Sequence, residues 1–334
     1  MSRAATPGLE APDPVLERRV QDRLDLVEDA LLEAVRSDSE FVTEAASYLL
    51  KAGGKRFRPL LVVLAGHFGD GDDARLVPGA VAIELTHVAT LHHDDVIDEA
   101  SARHGVASVN SKWGNTVAIL TGDYLFARAS DISSDLGGEV TRLLARTIAT
   151  VSDGQIREIT AAGRLDQAED SYMEIIRRKT ASLIATSCRL GGMLSGATPD
   201  MVSHLDEFGS SLGMAFQLSD DIMDVTSSEE ELRKTPGQDM REGVYTLPVL
   251  YALDDGDLGR ELRDLLSGGP PDGERLARAL EIVRADGSIE RAREAVTNEV
   301  RGARRVAGEL PPGAARDALV HIAEFLATRC GADV

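Results

Sequence analysis

Apolar residues recur three and four positions apart along almost the whole chain, and this spacing limits the fold more than any single motif does. Between Val15 and Val35, the residues Val20, Leu24, Val27, Leu31 and Val35 form one stripe set against Glu, Asp and Arg. That is the pattern of an amphipathic helix. Similar stripes predict helices over roughly 40–50, 60–68, 74–99, 109–135, 139–162, 169–195, 199–226, 243–266, 273–285, 288–309 and 313–329. No segment alternates with the period of two that a half-buried strand requires. The breaks are short and rich in Gly and Pro: "KAGGKRFRP", Gly105 to Ser108, "SGATPD", "KTPGQD", "SGGPPDG" and "LPPGA". With no low-complexity linker and no repeat of solenoid length, the sequence predicts an all-α fold, a single helical domain over 13–334 behind a disordered segment 1–12.

A chain of 334 residues with 43% hydrophobic content can bury one large core or two ordinary ones. Lys and Arg number 36 against 56 Asp and Glu, a net charge of −20, and aromatic residues make up only 4%. Such a surface repels polyphosphate and offers few stacking platforms, so nucleic acid is not an expected partner. Cys188 and Cys330 have neither metal-ligand spacing nor a Cys-rich frame, as expected in a reducing, cytoplasmic compartment. The opening "MSRAATPGLEAPDPVLERRVQDRL" has no apolar core of signal-peptide length, and "PLLVVLAG" is too short to span a bilayer, so a soluble protein rather than an integral membrane protein is expected.

Against that acidic background, "TLHHDDVIDEASARHG" gathers carboxylates at the end of the helix expected over 74–99. At 100° per residue, Asp94 and Asp98 lie one above the other on one face while Asp95 points elsewhere. Two stacked carboxylates repel, and the negative helix C-terminus adds to the cost. A hard cation such as Mg²⁺ reverses that sign, sharing carboxylates with substrate phosphates. The pattern recurs in "FQLSDDIMDV", where Asp220, Asp221 and Asp224 stand in a second apolar helix with Gln217 on nearly the same face as Asp220 and Asp224. Inward-pointing carboxylates on facing helices of a bundle build metal sites, and two such walls would grip a diphosphate. Cations are also supplied: Lys55, Arg56 and Arg58 in a Gly-rich turn before a helix, Arg103 and His104 after the first cluster, Lys179, next to Thr180, in "RRKTASL", and Lys234 after the second cluster.

From "GGKRFRP" through "ELTHVATLHHDDVIDEASARHG", "GDYLFARAS", "RRKTASL", "FQLSDDIMDV" and "KTPGQDMREGVYTLPVL", in that order, the chain resembles the trans-isoprenyl diphosphate synthases, the polyprenyl synthetase family. The resemblance implies a helical bundle around a deep central cavity, usually a homodimer, that condenses an allylic diphosphate with isopentenyl diphosphate by ionisation, addition and proton loss. It implies three Mg²⁺ ions held by Asp94, Asp98, Asp220 and Asp224, with Asp94, Asp98, Asp220, Lys179 and Thr180 as the catalytic set. Arg103, Lys179, Gln217 and Lys234 match positions contacting the allylic diphosphate, and Lys55, Arg58, His87 and His104 match the isopentenyl diphosphate site. Where the family commonly has two arginines, this chain has Arg103 and His104, so weaker or more pH-dependent isopentenyl diphosphate binding is expected. Ala89 and Thr90, five and four residues before Asp94, match positions where large aromatic side chains close the pocket floor. Being small, they predict a long-chain polyprenyl diphosphate, plausibly a quinone side-chain precursor, with farnesyl or geranylgeranyl diphosphate as the alternative product.

Three rivals fit less of the sequence. His92 and His93 resemble ligands of a His-Asp metal phosphohydrolase, but His67, His204 and His321 are scattered, and the second Asp cluster would have no role. A class I terpene cyclase would share the fold and the ionisation step, yet its second motif normally mixes Asn, Ser or Thr with Glu, unlike "DDIMD". A regulatory subunit of a heteromeric synthase would have lost its Asp motifs, and this chain keeps both, although a catalytic subunit that requires a partner stays open.

Overall fold

The computed structural model describes residues 13–70, 73–227, 236–254, 256–285 and 287–333. The expected disordered segment 1–12 and Lys234 lie outside the described residues. The first two helices begin where the sequence supplies a cap. Asp13 accepts from the amides of Val15 (2.8 Å) and Leu16 (3.2 Å) to open α1 (Pro14–Ala34), with Pro14 in the first turn, where its missing N–H costs nothing. Ser39 caps α2 (Glu40–Ala52) in the same way. There follow α3 (Phe57–Ala65), α4 (Leu76–Ile97), α5 (Val109–Trp113), α6 (Asn115–Leu136), α7 (Gly138–Ala161), α8 (Glu169–Ile176), α9 (Ser182–Leu194) and α10 (Pro199–Thr226). The order ends with α11 (Gln238–Arg241), α12 (Leu247–Leu253), α13 (Gly256–Ser267), α14 (Gly273–Ala285), α15 (Ser288–Ala307) and α16 (Ala314–Arg329).

Packing divides the chain into two compact units. The first holds the described residues up to Ile148 together with Leu183–Gly209 and Ala307–His321; the second holds Ala149–Ser182, Ser210–Val306 and Ile322–Val334. In the first unit α4 packs most extensively on α6 and also receives α1 and α3. Both α3, buried from Pro59 to Ala65, and the first half of α4, buried from Gly79 to Thr86, are apolar nearly all round, as helices in the middle of a core must be. α9 approaches α3 through Gly191, where an added Cβ would stand 2.3 Å from the Val62 carbonyl oxygen and 2.7 Å from the Ala65 Cβ. In the second unit α12 is buried at every residue and packs on α8, α13 and α14.

The helical reading of the sequence holds in most places, and its departures have local causes. The helix expected over 109–135 is interrupted at Gly114, whose φ of 88° no regular helix accommodates, giving α5 and α6. The helix expected over 243–266 starts later, with Pro248 in the first turn of α12, and restarts at Gly256. The stretch 169–195 carries a π-helical turn at Arg177–Ala181. Where only a break was expected, β1 (Ala102–Arg103) and β2 (Val106–Ala107) form a minimal antiparallel hairpin, too short to show alternation. No helix among the described residues is long and apolar enough to cross a membrane.

The close approach at Gly191 yields a stability prediction. Because the clash is with a main-chain carbonyl that is itself part of α3, Gly191→Ala should cost about 1–3 kcal/mol, as overpacking typically does. The check is a lowered urea midpoint with unchanged slope.

Candidate active site

Upstream of its last turns α4 is buried, and its partly accessible residues His87, Thr90, Leu91, Asp94 and Asp98 recur at helical spacing on one stripe. Thr90 is on that stripe, its hydroxyl donating to the His87 carbonyl at 2.7 Å. Ala89 is not. It is fully buried, and its carbonyl lies 3.2 Å from where a Cβ on Gly122 of α6 would stand. Of the two positions expected to line the floor, Thr90 therefore shares a face with Asp94, while Ala89 packs against α6.

The second carboxylate of the first motif is structural. Asp95 is fully buried; its Oδ1 accepts from Arg103 Nε (2.8 Å) and Nη2 (2.6 Å), and its carbonyl accepts from Asn110 Nδ2 (2.9 Å). Arg103, expected at the allylic diphosphate, is thus anchored to the motif itself. It reaches Asp95 from β1, and the turn that follows, His104 (φ 51°) and Gly105 (φ 78°), is the two-residue kind that matches strand twist. The His104 ring lies against the Gly-rich turn before α3, with its Cε1 3.8 Å from where a Cβ on Gly54 would stand, so the hairpin touches that turn.

Four of the predicted cations share one electrostatic neighbourhood. Burial pushes His87 well below the ordinary imidazole range, and the charges of Arg58, His104, Arg103 and Arg56 push it the same way. Burial likewise lowers His104, helped by Arg103 and Arg56 and opposed by the Gly53 carbonyl and Asp95. Both imidazoles are therefore neutral near pH 7 and gain a proton most readily when an anion arrives. Lys55 is exposed beside them. Arg56, read from the sequence with Lys55 and Arg58 as a further phosphate cation, instead turns inward and is 7% exposed. His92 and His93 are packing residues. His92 is buried and its Nδ1 donates to the Val88 carbonyl at 2.8 Å, while His93 meets the Ile119 carbonyl at 3.1 Å and the edge of Phe126.

The second motif is organised in the same way within the second unit. Asp221 is 1% exposed and accepts from the Tyr172 hydroxyl and from Gln217 Nε2 (2.8 Å). The other end of the Gln217 amide accepts from the Thr180 hydroxyl at 2.8 Å. Thr180 and Lys179 sit in the π-helical turn, a distortion that shifts backbone carbonyls out of register and is frequent at functional sites. Lys179 pairs with Glu158 of α7. Asp220 pairs with Arg329 of α16, whose guanidinium also donates to Ser219 Oγ (2.6 Å) and lies over the Phe216 ring. Asp224 is buried, with Oδ2 facing the Asp239 amide at 3.4 Å and its carbonyl accepting from the Gly237 amide at 2.9 Å.

Tyr172, Glu158, Arg329 and Asn110 were missed by the sequence reading. A tyrosine on the apolar face of a short helix was a usable signal, since a buried phenol needs a partner. Arg329 lies 109 residues beyond Asp220, with nothing local to announce it.

Burial pushes Asp221 up to about 7, and the Asp220 and Asp224 charges push the same way against the Tyr172 and Gln217 hydrogen bonds. So dense a set of carboxylate oxygens suits a hard divalent cation. No three ligating side chains close on one point among the described residues.

Helices carrying paired acidic motifs of this kind, each with an inward second carboxylate, are in keeping with the class that the comparisons show, a prenyl-transferring synthase. The family model described as "Polyprenyl synthetase" matches residues 39–283, and the chain belongs to that family. It is 41% identical to the nonaprenyl diphosphate synthase of Mycobacterium tuberculosis over 97% of each chain. It is likewise 41% identical to heptaprenyl diphosphate synthase component 2 of Geobacillus stearothermophilus, over 93% of this chain and 97% of that one. Its fold matches the crystal structure of geranylgeranyl pyrophosphate synthase from Corynebacterium glutamicum complexed with calcium and isoprenyl diphosphate, with a TM-score of 0.86, 40% identity and coverage of 96% and 99%.

Tyr172→Phe tests the clamp on Asp221. Because its folded value is raised, the stability that protonated Asp221 lends is present below the ordinary carboxylate range and is lost as pH rises through about 7. At pH 5 the substitution removes a bond to a neutral acid and should cost about 1 kcal/mol; at pH 8 it removes one to a carboxylate and should cost about 1.5–3 kcal/mol. Urea unfolding of both proteins at the two pH values measures the difference.

Proposed function

We propose that the chain condenses an allylic prenyl diphosphate with isopentenyl diphosphate to make a long-chain all-trans polyprenyl diphosphate, in the cytoplasm and as a homodimer. The observation that carries this reading is shared by both acidic motifs: the second carboxylate, Asp95 or Asp221, is buried and clamped, while the first, Asp94 or Asp220, keeps access to solvent. In the first unit Asp94 and Asp98 would hold magnesium, and in the second unit Asp220 and Asp224 would do so. Magnesium bound there supplies Lewis acidity that makes diphosphate a better leaving group. Lys179, Arg103 and Lys234 add positive charge for the same group. Because the Thr180 proton is committed to Gln217, its oxygen remains an acceptor suited to the positive charge of an allylic cation. Lys55, Arg58, His87 and His104 take isopentenyl diphosphate, whose double bond attacks that cation, and the departing diphosphate accepts the proton lost.

The homodimer reading is supported by the apolar side chains that α6 leaves exposed, Ile119 and Leu120, which a second copy would cover. The cytoplasmic reading is supported by two unpaired, buried thiols, Cys188 and Cys330. The long product is supported by the small side chain of Thr90, on the face of Asp94, and by the named products of the nonaprenyl and heptaprenyl relatives.

Two measurements test this. Asp94→Ala or Asp220→Ala should lower turnover at least about a hundredfold, since each removes a ligand to a charge-stabilising metal worth several kcal/mol, while circular dichroism stays helical. Product sizing with labelled isopentenyl diphosphate should show a long chain in the wild type. Thr90→Phe, on the same face as Asp94, should give shorter products; Ala89→Phe should also shorten them, with a lower thermal midpoint because that position packs on α6. A wild type that stops at farnesyl or geranylgeranyl diphosphate would refute the long-chain reading.

A further inference from the structure

The Gly-rich turn "GGKRFRP" contains three cations, and only two are placed to meet a substrate. Arg56 points the other way. Its backbone is left-handed (φ 45°) at the N-cap of α3, which swings the side chain into the core between an exposed Lys55 and a half-buried Arg58. Inside, the guanidinium spends every nitrogen. Nε and Nη2 engage Glu28 of α1, Nη1 donates to Glu84 of α4 at 3.1 Å, and Nη2 also donates to the Leu50 carbonyl near the end of α2 at 2.8 Å. The turn closes over it so tightly that a Cβ on Gly54 would stand 2.8 Å from Nη1.

Resting on the function proposed above, we propose that Arg56 is a positioning residue for isopentenyl diphosphate: it never touches the substrate but fixes the turn that presents Lys55 and Arg58 against the His87 face of α4. Glu84 stands three residues before His87, one turn along the same helix. The guanidinium therefore sets the distance between the turn and the stripe that bears His87, Thr90 and Asp94. Charge reinforces the geometry. Burial pushes the Glu84 carboxyl up, and the charges of Arg56 and Arg58 push it back toward its charged form. Lysine does not replace arginine here, because one ammonium cannot fork to Glu28, Glu84 and the Leu50 carbonyl at once.

Steady-state kinetics of Arg56→Lys with each substrate varied in turn tests the idea, with Glu28→Gln as a milder second variant because Glu28 is one-third exposed. The expected result for Arg56→Lys is a Michaelis constant for isopentenyl diphosphate raised at least tenfold, with turnover at saturation and the allylic constant within threefold of wild type. Glu28→Gln should raise the same constant alone, by a few-fold. If both substrates' constants rise together, or the isopentenyl diphosphate constant is unchanged, Arg56 merely supports the fold and the inference is wrong. If Arg56→Lys does not fold, Glu28→Gln decides by the same criterion. Absence of condensation by the unsubstituted chain would overturn the proposed function as well, whereas full wild-type turnover with unaltered variants would overturn this inference alone.

Discussion

Each acidic motif depends on burying its second carboxylate. Asp95 and Asp221 are taken out of water, which is tolerable only where donors meet them, and donors do: Arg103 for Asp95, Tyr172 and Gln217 for Asp221. Once these are fixed, the 100° step of the helix dictates where their neighbours point. Asp94 and Asp98 fall on the accessible stripe of α4, and Asp220 falls on the side of α10 that reaches Arg329. Breaking either clamp would leave a buried charge without a donor and let the helix end rotate, so the outward carboxylates inherit their orientation from the inward ones.

The same clamps recruit residues that have no chemistry of their own. Arg103 holds Asp95 and thereby seats the hairpin whose turn carries His104 against the Gly-rich turn before α3. Tyr172 holds Asp221, which holds Gln217, which takes the Thr180 proton. In the first unit the chain of contacts ends at two neutral imidazoles among arginines, and in the second it ends at a π-helical turn with an acceptor oxygen. An excess of acidic residues over the whole chain does not conflict with anion binding, because the cations are concentrated in a few places by buried partners such as Glu84.

Burial also separates residues that look equivalent in the sequence. Ala89 and Thr90 are adjacent and small, yet only Thr90 shares the face of Asp94, because Ala89 is needed where α4 and α6 come close at Gly122. Lys55, Arg56 and Arg58 form one basic run, yet a left-handed backbone at Arg56 sends its side chain to Glu28 and Glu84. His92 and His93 read as metal ligands by type, yet each is spent on a main-chain carbonyl.

The sequence made the helices legible, because an apolar stripe of period 3.6 is a local property, and both acidic motifs as well, because the fourth residue on always shares a face. It also determined that Asp95 would point away from Asp94 and Asp98. What receives each inward group came from the packing of helices far apart in the chain. Arg329 lies 109 residues from Asp220, Tyr172 lies 49 from Asp221, and Arg56 lies 28 from each of its two glutamates. No periodicity encodes those distances. They follow from which helices pack together, and hence from where a buried charge finds the one partner that makes its burial tolerable.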